Sequence, residues 1–184
     1  ASEIAPFEDN TVIEPLISKS LKLKGSKVKA VETNESLGFT EWTLKNGIKV
    51  VVRPSTLKAD EVMIYATSKG GQSMLNDADY FTGDYLPMVM SQSGISKFSA
   101  TELAKQLTGK NARASISVGD YEHAVNAGGS PKDIETILQL IYLNYTAPRF
   151  DQTDLDNLKK MYVPYFKNME QDPSYIAGKN YVET

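Results

Sequence analysis

The chain has 184 residues and a net charge of −3, because 20 basic residues are interspersed with 23 acidic ones. This length fits one ordinary domain, or a smaller domain with an ordered extension. No strongly basic face is predicted, so we expect no nucleic-acid partner. No apolar run is long enough to cross a bilayer, so we expect no membrane partner. The absence of cysteine excludes disulfides and thiolate metal sites within these residues and fits any redox compartment.

The first 38 residues differ in composition from the rest of the chain. They are polar and interrupted by prolines and glycines, and no apolar period is sustained before Phe39. We therefore predict an interdomain connector arm over residues 1–38 and one folded domain over residues 39–184.

A β-hairpin and a further strand are predicted at the start of this domain. Residues 41–44 and 48–52 flank Asn46-Gly47, a dipeptide that favours a tight hairpin turn because both residues tolerate positive φ. Residues 62–67 alternate in polarity and end at a glycine pair. Both faces of this strand are moderately apolar, which is typical of a central strand. At a sheet edge it would instead be able to accept an extended peptide.

The rest of the domain combines another hairpin with helices. Residues 112–118 and 121–127 alternate on either side of a Gly-Asp turn. Helical periodicity is found in four segments, near residues 80–93, 99–108, 130–141 and 153–169. Hairpins interleaved with helices favour an α+β fold, a sandwich in which helices pack on one side of an antiparallel sheet.

Local signals support individual helices. Ser99 and Glu102 have the spacing of a capping box, and Ser130 precedes a first-turn proline as an N-cap residue does. Ile137 lies on the apolar stripe of the third helix and is predicted to be buried. Pro87 is expected either to lie in the first turn of its helix or to kink it.

His123 is the first candidate for acid/base chemistry, since it is the only histidine and this residue type is suited to proton transfer near neutral pH. It lies in the middle of a predicted strand. No cysteine and no serine in a G-x-S-x-G turn accompanies it, so a structural or surface histidine is the better interpretation. An unrelated α+β enzyme that uses His123 is the alternative.

Three aspartates and two glycine pairs are further candidates for binding sites. Asp77, Asp79 and Asp84 supply carboxylates of the kind that calcium prefers, but their spacing matches no calcium-binding loop, and turns and helix starts explain them equally well. Gly70-Gly71 and Gly128-Gly129 belong to no phosphate-binding signature and are predicted to be turns.

Aromatic residues crowd the last third of the chain. They are Tyr142, Tyr145, Phe150, Tyr162, Tyr165, Phe166 and Tyr175. Their helical spacing is compatible with core packing, and tyrosine also suits a partly wet interface with another domain. Both interpretations stay open at this point.

Four motifs resemble the frame of a pitrilysin/insulinase-type (inverzincin) zinc metallopeptidase domain. They are WTLKNGIKVVVRP, VMIYATSKGG, FSATELAKQLTGK and ISVGDYEHAVNAGGSPKDIETILQLI. The resemblance covers about residues 39–173, and the predicted arm resembles the connector between the two halves of such enzymes. It implies the α/β sandwich of mitochondrial-processing-peptidase-like domains.

Working domains of this family carry an H-x-x-E-H metal-binding helix that is followed by a glycine. When that glycine is matched to Gly94, Tyr85 and Val89 fall at the two histidine positions and Met88 falls at the glutamate position. The family's third ligand, a glutamate on a later helix, falls in a segment with no acid between Asp156 and Glu170. The resemblance therefore implies no zinc ligand and no catalytic residue in this chain.

The resemblance implies a non-catalytic domain from the second half of a larger, peptide-degrading zinc metallopeptidase. Such a domain packs on its neighbours, lines the chamber and helps to hold the substrate peptide, while zinc comes from elsewhere in the parent protein. The chain alone is predicted to be inactive. The alternative is a freestanding interaction module that pairs with a separate zinc-bearing subunit. The resemblance favours the periplasm or cell envelope without deciding the compartment.

Overall fold

The computed structural model describes residues 12–182, except for the side chains of Phe81, Asn180 and Val182. The strands are Val28–Asn34 (β1), Phe39–Leu44 (β2), Lys49–Val52 (β3), Val62–Lys69 (β4), Ala112–Val118 (β5) and Glu122–Gly129 (β6). The helices are Tyr80–Ser93 (α1), Ala100–Gln106 (α2), Ile134–Thr146 (α3), Gln152–Met169 (α4) and Pro173–Val182 (α5). Among these residues, no helix is both long enough and apolar enough to span a bilayer.

The strands are divided between two antiparallel sheets. Sheet A has the order β1-β2-β3, and sheet B has the order β4-β6-β5. The predicted α+β fold with antiparallel pairing is confirmed, as are both hairpins. β4 was expected to be a central strand, but within the described residues it lies at an edge of sheet B. Its apolar outer face, with Met63 and Tyr65 exposed, misled the sequence interpretation.

β1 lies inside the segment predicted to be a connector arm. It pairs with β2 from Asn34 opposite Phe39 to Val28 opposite Leu44. Alternation along β1 is hidden because charged residues interrupt it, so no apolar period marked this strand. The boundary at residue 38 stays a prediction.

The core lies between sheet B and its helices, since α1 and α3 pack against β5 and α3 also packs against β6. Ile137 on α3 is 0% exposed and packs with Val125 and Ala127 of β6, which confirms its predicted burial. The second buried cluster consists of Leu16, Ile95, Phe98, Leu140 and Leu143. Leu16 precedes every strand, so part of the predicted arm contributes to the core.

Gln106 at the end of α2 holds this early segment in place. Its side-chain amide donates a hydrogen bond to the Val12 carbonyl at 2.8 Å and accepts one from the Glu14 backbone N–H at 2.7 Å. Gln106 is buried, so these two bonds satisfy the polar atoms of its side chain where water has little access.

Of the two N-caps predicted from the sequence, one is present in the structure and the other is not. The capping box of α2 is complete, because the Ser99 hydroxyl accepts from the Glu102 N–H and the Glu102 carboxylate accepts from the Ser99 N–H. Ser130 was predicted to cap α3, but its side chain makes no cap bond. A 3-10 turn over Pro131–Asp133 comes between them, so Ser130 is too far from the first α-helical N–H groups.

Candidate functional site

Helix α1 carries the three positions that match the lost zinc motif. It continues through Pro87 instead of starting there, so the proline lies inside the helix. α1 ends at Gly94, whose φ is 88°. A Cβ atom at this position would lie 2.3 Å from the Phe98 carbonyl oxygen, so only glycine fits the turn that closes the helix.

The three motif positions have different surroundings on α1. Tyr85 is exposed, whereas Met88 and Val89 are half-buried. Residues four apart lie on one helical face, so Tyr85 and Val89 share the side that two histidine ligands would use. That side is directed towards α4, because α1 packs on α4 and the Tyr85 ring contacts it.

Helix α4 is the element on which the third ligand was expected. It begins after Asp151, whose carboxylate accepts a hydrogen bond from the Thr153 N–H at 2.9 Å. Half-buried side chains recur on one side of α4, at Leu155, Leu158, Tyr162 and Phe166. Their spacing is that of an amphipathic helix with one packed face.

Four rings form an aromatic cluster where α1 meets α4; its members are Tyr85, Tyr162, Tyr165 and Phe166. Tyr85 meets Phe166 edge to face, with centroids 6.4 Å apart. Tyr162 stacks on Phe166 at 6.0 Å, and Tyr165 meets Phe166 edge to face at 5.4 Å. These geometries are the favoured ones for aromatic pairs, so the cluster stabilises the contact between the two helices.

The aromatic cluster offers no ligand set for a metal ion. Zinc sites use histidine, cysteine and carboxylate ligands. In the part of the chain that the structure describes, no three such residues lie together in a way that would hold a metal. The assignment of Tyr85, Met88 and Val89 to the lost motif stays a prediction, since it depends on the alignment.

His123 supports a turn at the end of β4. Its Nδ1 atom accepts a hydrogen bond from the Gly71 N–H at 3.3 Å. The ring packs so closely on Gly70 that a Cβ there would lie 2.6 Å from it. This arrangement agrees with a structural histidine, and Gly70-Gly71 form the predicted turn with positive φ. The turn predicted at Gly128-Gly129 is wrong, because both residues pair within β6.

Two of the three aspartates near α1, Asp79 and Asp84, make polar contacts with nearby residues. Asp79 Oδ2 accepts from the Asn76 side-chain amide at 2.9 Å, and Asp84 accepts from Gln72. Asp77 has no bond to either of them among the described contacts. The contacts between Asn76 and Asp79 are those of a turn. Asp79 makes no side-chain cap bond at the start of α1, and Asp84 lies inside that helix.

The hydrogen bonds of sheet B determine which backbone groups point out of it. The Gly70 N–H donates to the Tyr121 carbonyl at 2.9 Å and continues the β4–β6 ladder. In an antiparallel pair, residues that bond to the partner alternate with residues that point away. The N–H and C=O groups of Met63, Tyr65 and Thr67 are therefore directed away from β6, towards the free edge of β4.

The same alternation applies to β5. The Gly119 N–H donates to the Glu122 carbonyl at 2.9 Å, which pairs odd-numbered residues of β5 with β6. The backbone groups of Ala112, Ala114 and Ile116 therefore point to the opposite edge of sheet B. Within residues 12–182, no strand pairs with that edge.

A groove of about 280 Å³ runs along this edge of β5. Its walls come from α1, α2 and α3 and include Pro87, Met90, Leu103, Leu107, Leu140 and Asn144. Outward backbone groups beside apolar walls suit an extended peptide chain. This groove could not be predicted from the sequence, because four elements that are distant in sequence form it.

The aromatic residues in the last third of the chain fall into two groups that differ in their exposure to solvent. Tyr142, Tyr162 and Phe166 are half-buried, whereas Tyr145, Phe150, Tyr165 and Tyr175 are exposed. The first group packs within the chain. The second group is exposed, and its member Tyr165 also contacts Phe166 within the aromatic cluster.

No protein-family model matches this chain. A curated protein named "Zinc protease PQQL-like" from Arabidopsis thaliana is 24% identical over 181 residues. The match covers 98% of this chain and 16% of the Arabidopsis protein, so the chain spans a small part of that relative's length.

Two solved structures have the same fold. The ferredoxin protease FusC, solved in complex with Arabidopsis ferredoxin, superposes with a TM-score of 0.75 at 22% identity, over 97% of this chain and 19% of FusC. The periplasmic protease PqqL from Escherichia coli superposes with a TM-score of 0.78 at 18% identity, over 94% of this chain and 19% of PqqL. These matches confirm the resemblance inferred from the four sequence motifs: over nearly its whole length the chain has the fold of a domain-sized segment of pitrilysin/insulinase-type zinc peptidases.

Proposed function

We propose that this chain is a non-catalytic domain of a larger zinc metallopeptidase that degrades peptides. The observation that carries the proposal is the contact between Tyr85 and Phe166. It joins the two helices on which a working domain of this type would carry its zinc ligands. Aromatic rings can hold these helices together but supply no zinc ligand and no carboxylate to activate water. Zinc and the catalytic glutamate would then come from another part of the parent protein.

Within the parent protein, the domain would line the chamber and help to hold the substrate. The groove beside β5 supports this role, because Ala112, Ala114 and Ile116 direct backbone donors and acceptors along it. Strand addition recognises an extended peptide through its main chain, so it accepts many sequences. That property suits a peptidase that acts on varied peptides.

The exposed apolar residues supply surfaces for neighbouring domains. Tyr145, Phe150 and Tyr165 are more than half exposed. Aromatic residues are enriched in the cores of protein interfaces, where an apolar body and a polar tip are both used. We place their partners in the remaining domains of the same polypeptide, and we place the parent protein in the periplasm by analogy with PqqL.

The test is to measure zinc content and peptidase activity of this chain, alone and mixed with the zinc-bearing part of the same protein. We expect no stoichiometric zinc and no cleavage by the chain alone, and cleavage on mixing. The variant His123→Ala should leave the activity of the mixture unchanged. Tight zinc binding together with cleavage by the isolated chain would overturn the proposal.

A freestanding module that pairs with a separate zinc-bearing subunit is the second candidate. It is favoured by the same exposed aromatic residues, which an interface between subunits would bury as well as one between domains. The length of the natural reading frame separates the two candidates. A long frame that includes an H-x-x-E-H segment supports the first, and a short frame with a separate zinc-bearing partner supports the second.

A further inference from the structure

The hairpin that joins β2 to β3 turns through the only asparagine in the chain that is followed by a glycine. Asn46 and Gly47 are both exposed at its tip. An asparagine side chain can react with the backbone nitrogen of the next residue. This attack is easiest when the next residue is glycine, because glycine has no Cβ to hinder the approach. Asparagine is accordingly counted among the thermolabile residues of proteins.

The surroundings of Gly47 leave room for such a reaction. A Cβ atom at Gly47 would meet no atom within 4 Å apart from its chain neighbours. The Ile48 N–H donates a hydrogen bond to Asn46 Oδ1 at 3.3 Å, so the asparagine side chain already folds back over the turn. Within residues 12–182, no hydrogen bond holds the Asn46 Nδ2 atom, which is the nitrogen that has to leave.

One hydrogen bond of the turn opposes the reaction. The Gly47 N–H donates to the Leu44 carbonyl at 3.0 Å, so this bond must open before the nitrogen loses its proton and attacks. It lies at the exposed end of a hairpin whose second strand, β3, has only four residues. Bonds of this kind open locally, at a small cost in free energy and without unfolding of the rest of the domain. The fold should therefore slow the reaction without preventing it.

We propose that Asn46 is a site of spontaneous modification, at which the side-chain amide is converted to a carboxylate through a cyclic imide. The Gly47 nitrogen bonds to Asn46 Cγ, and the amide nitrogen leaves as ammonia with the proton that Gly47 gives up. Water then adds to either carbonyl of the imide. Opening at the former side-chain carbonyl gives aspartate, and opening at the backbone carbonyl gives isoaspartate. The net reaction consumes water and releases ammonia. It needs no enzyme or cofactor and does not rest on the proposed function.

The isoaspartate product would loosen sheet A, because it directs the main chain through the former side chain and lengthens the backbone of the turn. The turn closes through the bond from the Leu44 N–H to the Ile48 carbonyl at 2.8 Å. Beside it, the Lys45 N–H donates to the Lys27 carbonyl at 2.8 Å. Turn geometry and loop length fix the register of a hairpin, so a longer turn displaces these groups. Sheet B has its own strands and core, and we expect it to keep its structure.

Trp42 reports on this change. It is the only tryptophan in the chain, and it pairs with Val50 of β3 and with Val31 of β1. The residue is 38% exposed, so loosening of the strands on either side changes the solvent around its indole ring. Fluorescence of the chain therefore follows sheet A without an added label.

The first experiment is incubation of the folded full chain at physiological temperature and mildly alkaline pH, with peptide mapping by mass spectrometry at intervals. We expect Asn46 to be converted at least about tenfold faster than Asn76, since only Asn46 is followed by a residue without a Cβ. Asn76 is the matched internal control. It is also exposed, and its Oδ1 likewise accepts a backbone hydrogen bond, from the Asp79 N–H at 3.1 Å. Equal rates at the two asparagines would overturn the proposal.

The chain unfolded in guanidinium chloride supplies the reference rate. Without the bond between Gly47 and Leu44, conversion of Asn46 should be about tenfold faster than in the folded chain. The folded chain should still be converted at a measurable rate. If Asn46 stays unchanged in the folded chain while the unfolded chain is fully converted, the turn blocks the reaction and the proposal is wrong.

Two variants separate the chemistry from its structural consequence. Asn46→Gln keeps an amide but requires a larger ring that forms more slowly, so residue 46 should stay unmodified over the same period. Asn46→Asp has the charge of the products and the normal backbone, so its Trp42 fluorescence before incubation should match that of fresh wild type. The isoaspartate fraction of incubated wild type, separated by chromatography, should differ from both in Trp42 fluorescence and should exchange the Leu44 amide faster. Identical behaviour of this fraction and Asn46→Asp would overturn the predicted loosening of sheet A.

Discussion

The two edges of sheet B show how differently one sheet can present its backbone. At the β5 edge, outward backbone groups lie in a groove whose apolar walls come from α1, α2 and α3. At the β4 edge, no strand of the described residues pairs with the same kind of groups, beside Met63 and Tyr65. The walls beside the β5 edge can contact the side chains of a bound peptide and so select among peptides. The β4 edge offers little beyond main-chain pairing. Among the described residues, the helices therefore decide which edge of sheet B has apolar walls beside it.

This comparison predicts that substitutions beneath the helices cost far more stability than substitutions at the β4 side. The largest effect is expected at Ile137, which is fully buried between α3 and β6. Ile137→Ala should lower the free energy of unfolding by about 2 to 5 kcal/mol, because it leaves a cavity. The measurement is urea denaturation followed by circular dichroism.

Leu138→Ala is the matched control on the same helix, since Leu138 is exposed. Its effect should be within about 0.5 kcal/mol, as for surface positions in general. Equal losses for the two variants would contradict the packing of α3 against β6.

A smaller effect is expected at the cap of α2, the helix that forms one wall of the β5 groove. Ser99→Ala removes the hydroxyl that accepts from the Glu102 N–H, and it should cost about 1 kcal/mol. Ser130→Ala removes no cap bond and should cost only a few tenths of a kcal/mol. A larger loss at Ser130 than at Ser99 in thermal denaturation would show that the caps are assigned to the wrong residues.

The same cap makes the stability of the fold depend on pH. The backbone N–H of Ser99, and then its hydroxyl, hold the pKa of the Glu102 carboxyl below its ordinary value of 4.5. A lowered folded-state pKa means that the ionised form stabilises the fold above the ordinary value, and that this contribution is lost as the pH falls through the folded-state pKa. The expected change therefore lies on the acidic side of pH 4.5.

Glu102→Gln isolates this contribution, because glutamine keeps the side-chain shape but does not ionise. The stability difference between the wild type and this variant should be constant above the ordinary pKa and shrink below it. It is measured by urea denaturation at a series of pH values. A difference that does not change with pH would contradict an ionised Glu102 in the cap.

The smallest effect is expected on the open side of sheet B. Met63→Ala shortens a side chain that is largely exposed, so the free energy of unfolding of the monomer should change by less than about 0.5 kcal/mol. A loss comparable to that of Ile137→Ala would mean that the open face is covered in solution.

Much of the local structure could be predicted from the sequence. The Asn46-Gly47 hairpin, the α1 segment and the capping box at Ser99 are found where the pattern placed them. Each depends on interactions between residues close in sequence, such as a positive φ at Gly47 or a cap bond across three residues. Failure came at Ser130, where a 3-10 turn is inserted between the serine and the helix.

The parts that could not be predicted involve contacts between distant residues. β1 was missed because its charged residues hide the alternation and its pairing with β2 alone defines it. β4 looked like a central strand because both faces are apolar, and apolar faces do not reveal whether a neighbour pairs on both sides. The groove beside β5 could not be found, since Met90, Leu103 and Leu140 come from three helices.

By itself, the sequence determined the α+β class, the positions of most elements and the resemblance to a family of zinc peptidases. It also determined that these residues contain one histidine and no cysteine. These follow from residue type and short-range spacing, which the chain carries in every conformation. Only the tertiary structure decided that Tyr85 meets Phe166, that Leu16 joins the core, and that β6 lies between β4 and β5 in sheet B. Such features depend on how distant segments pack and pair, and side-chain periodicity does not encode which neighbour a strand or helix will have.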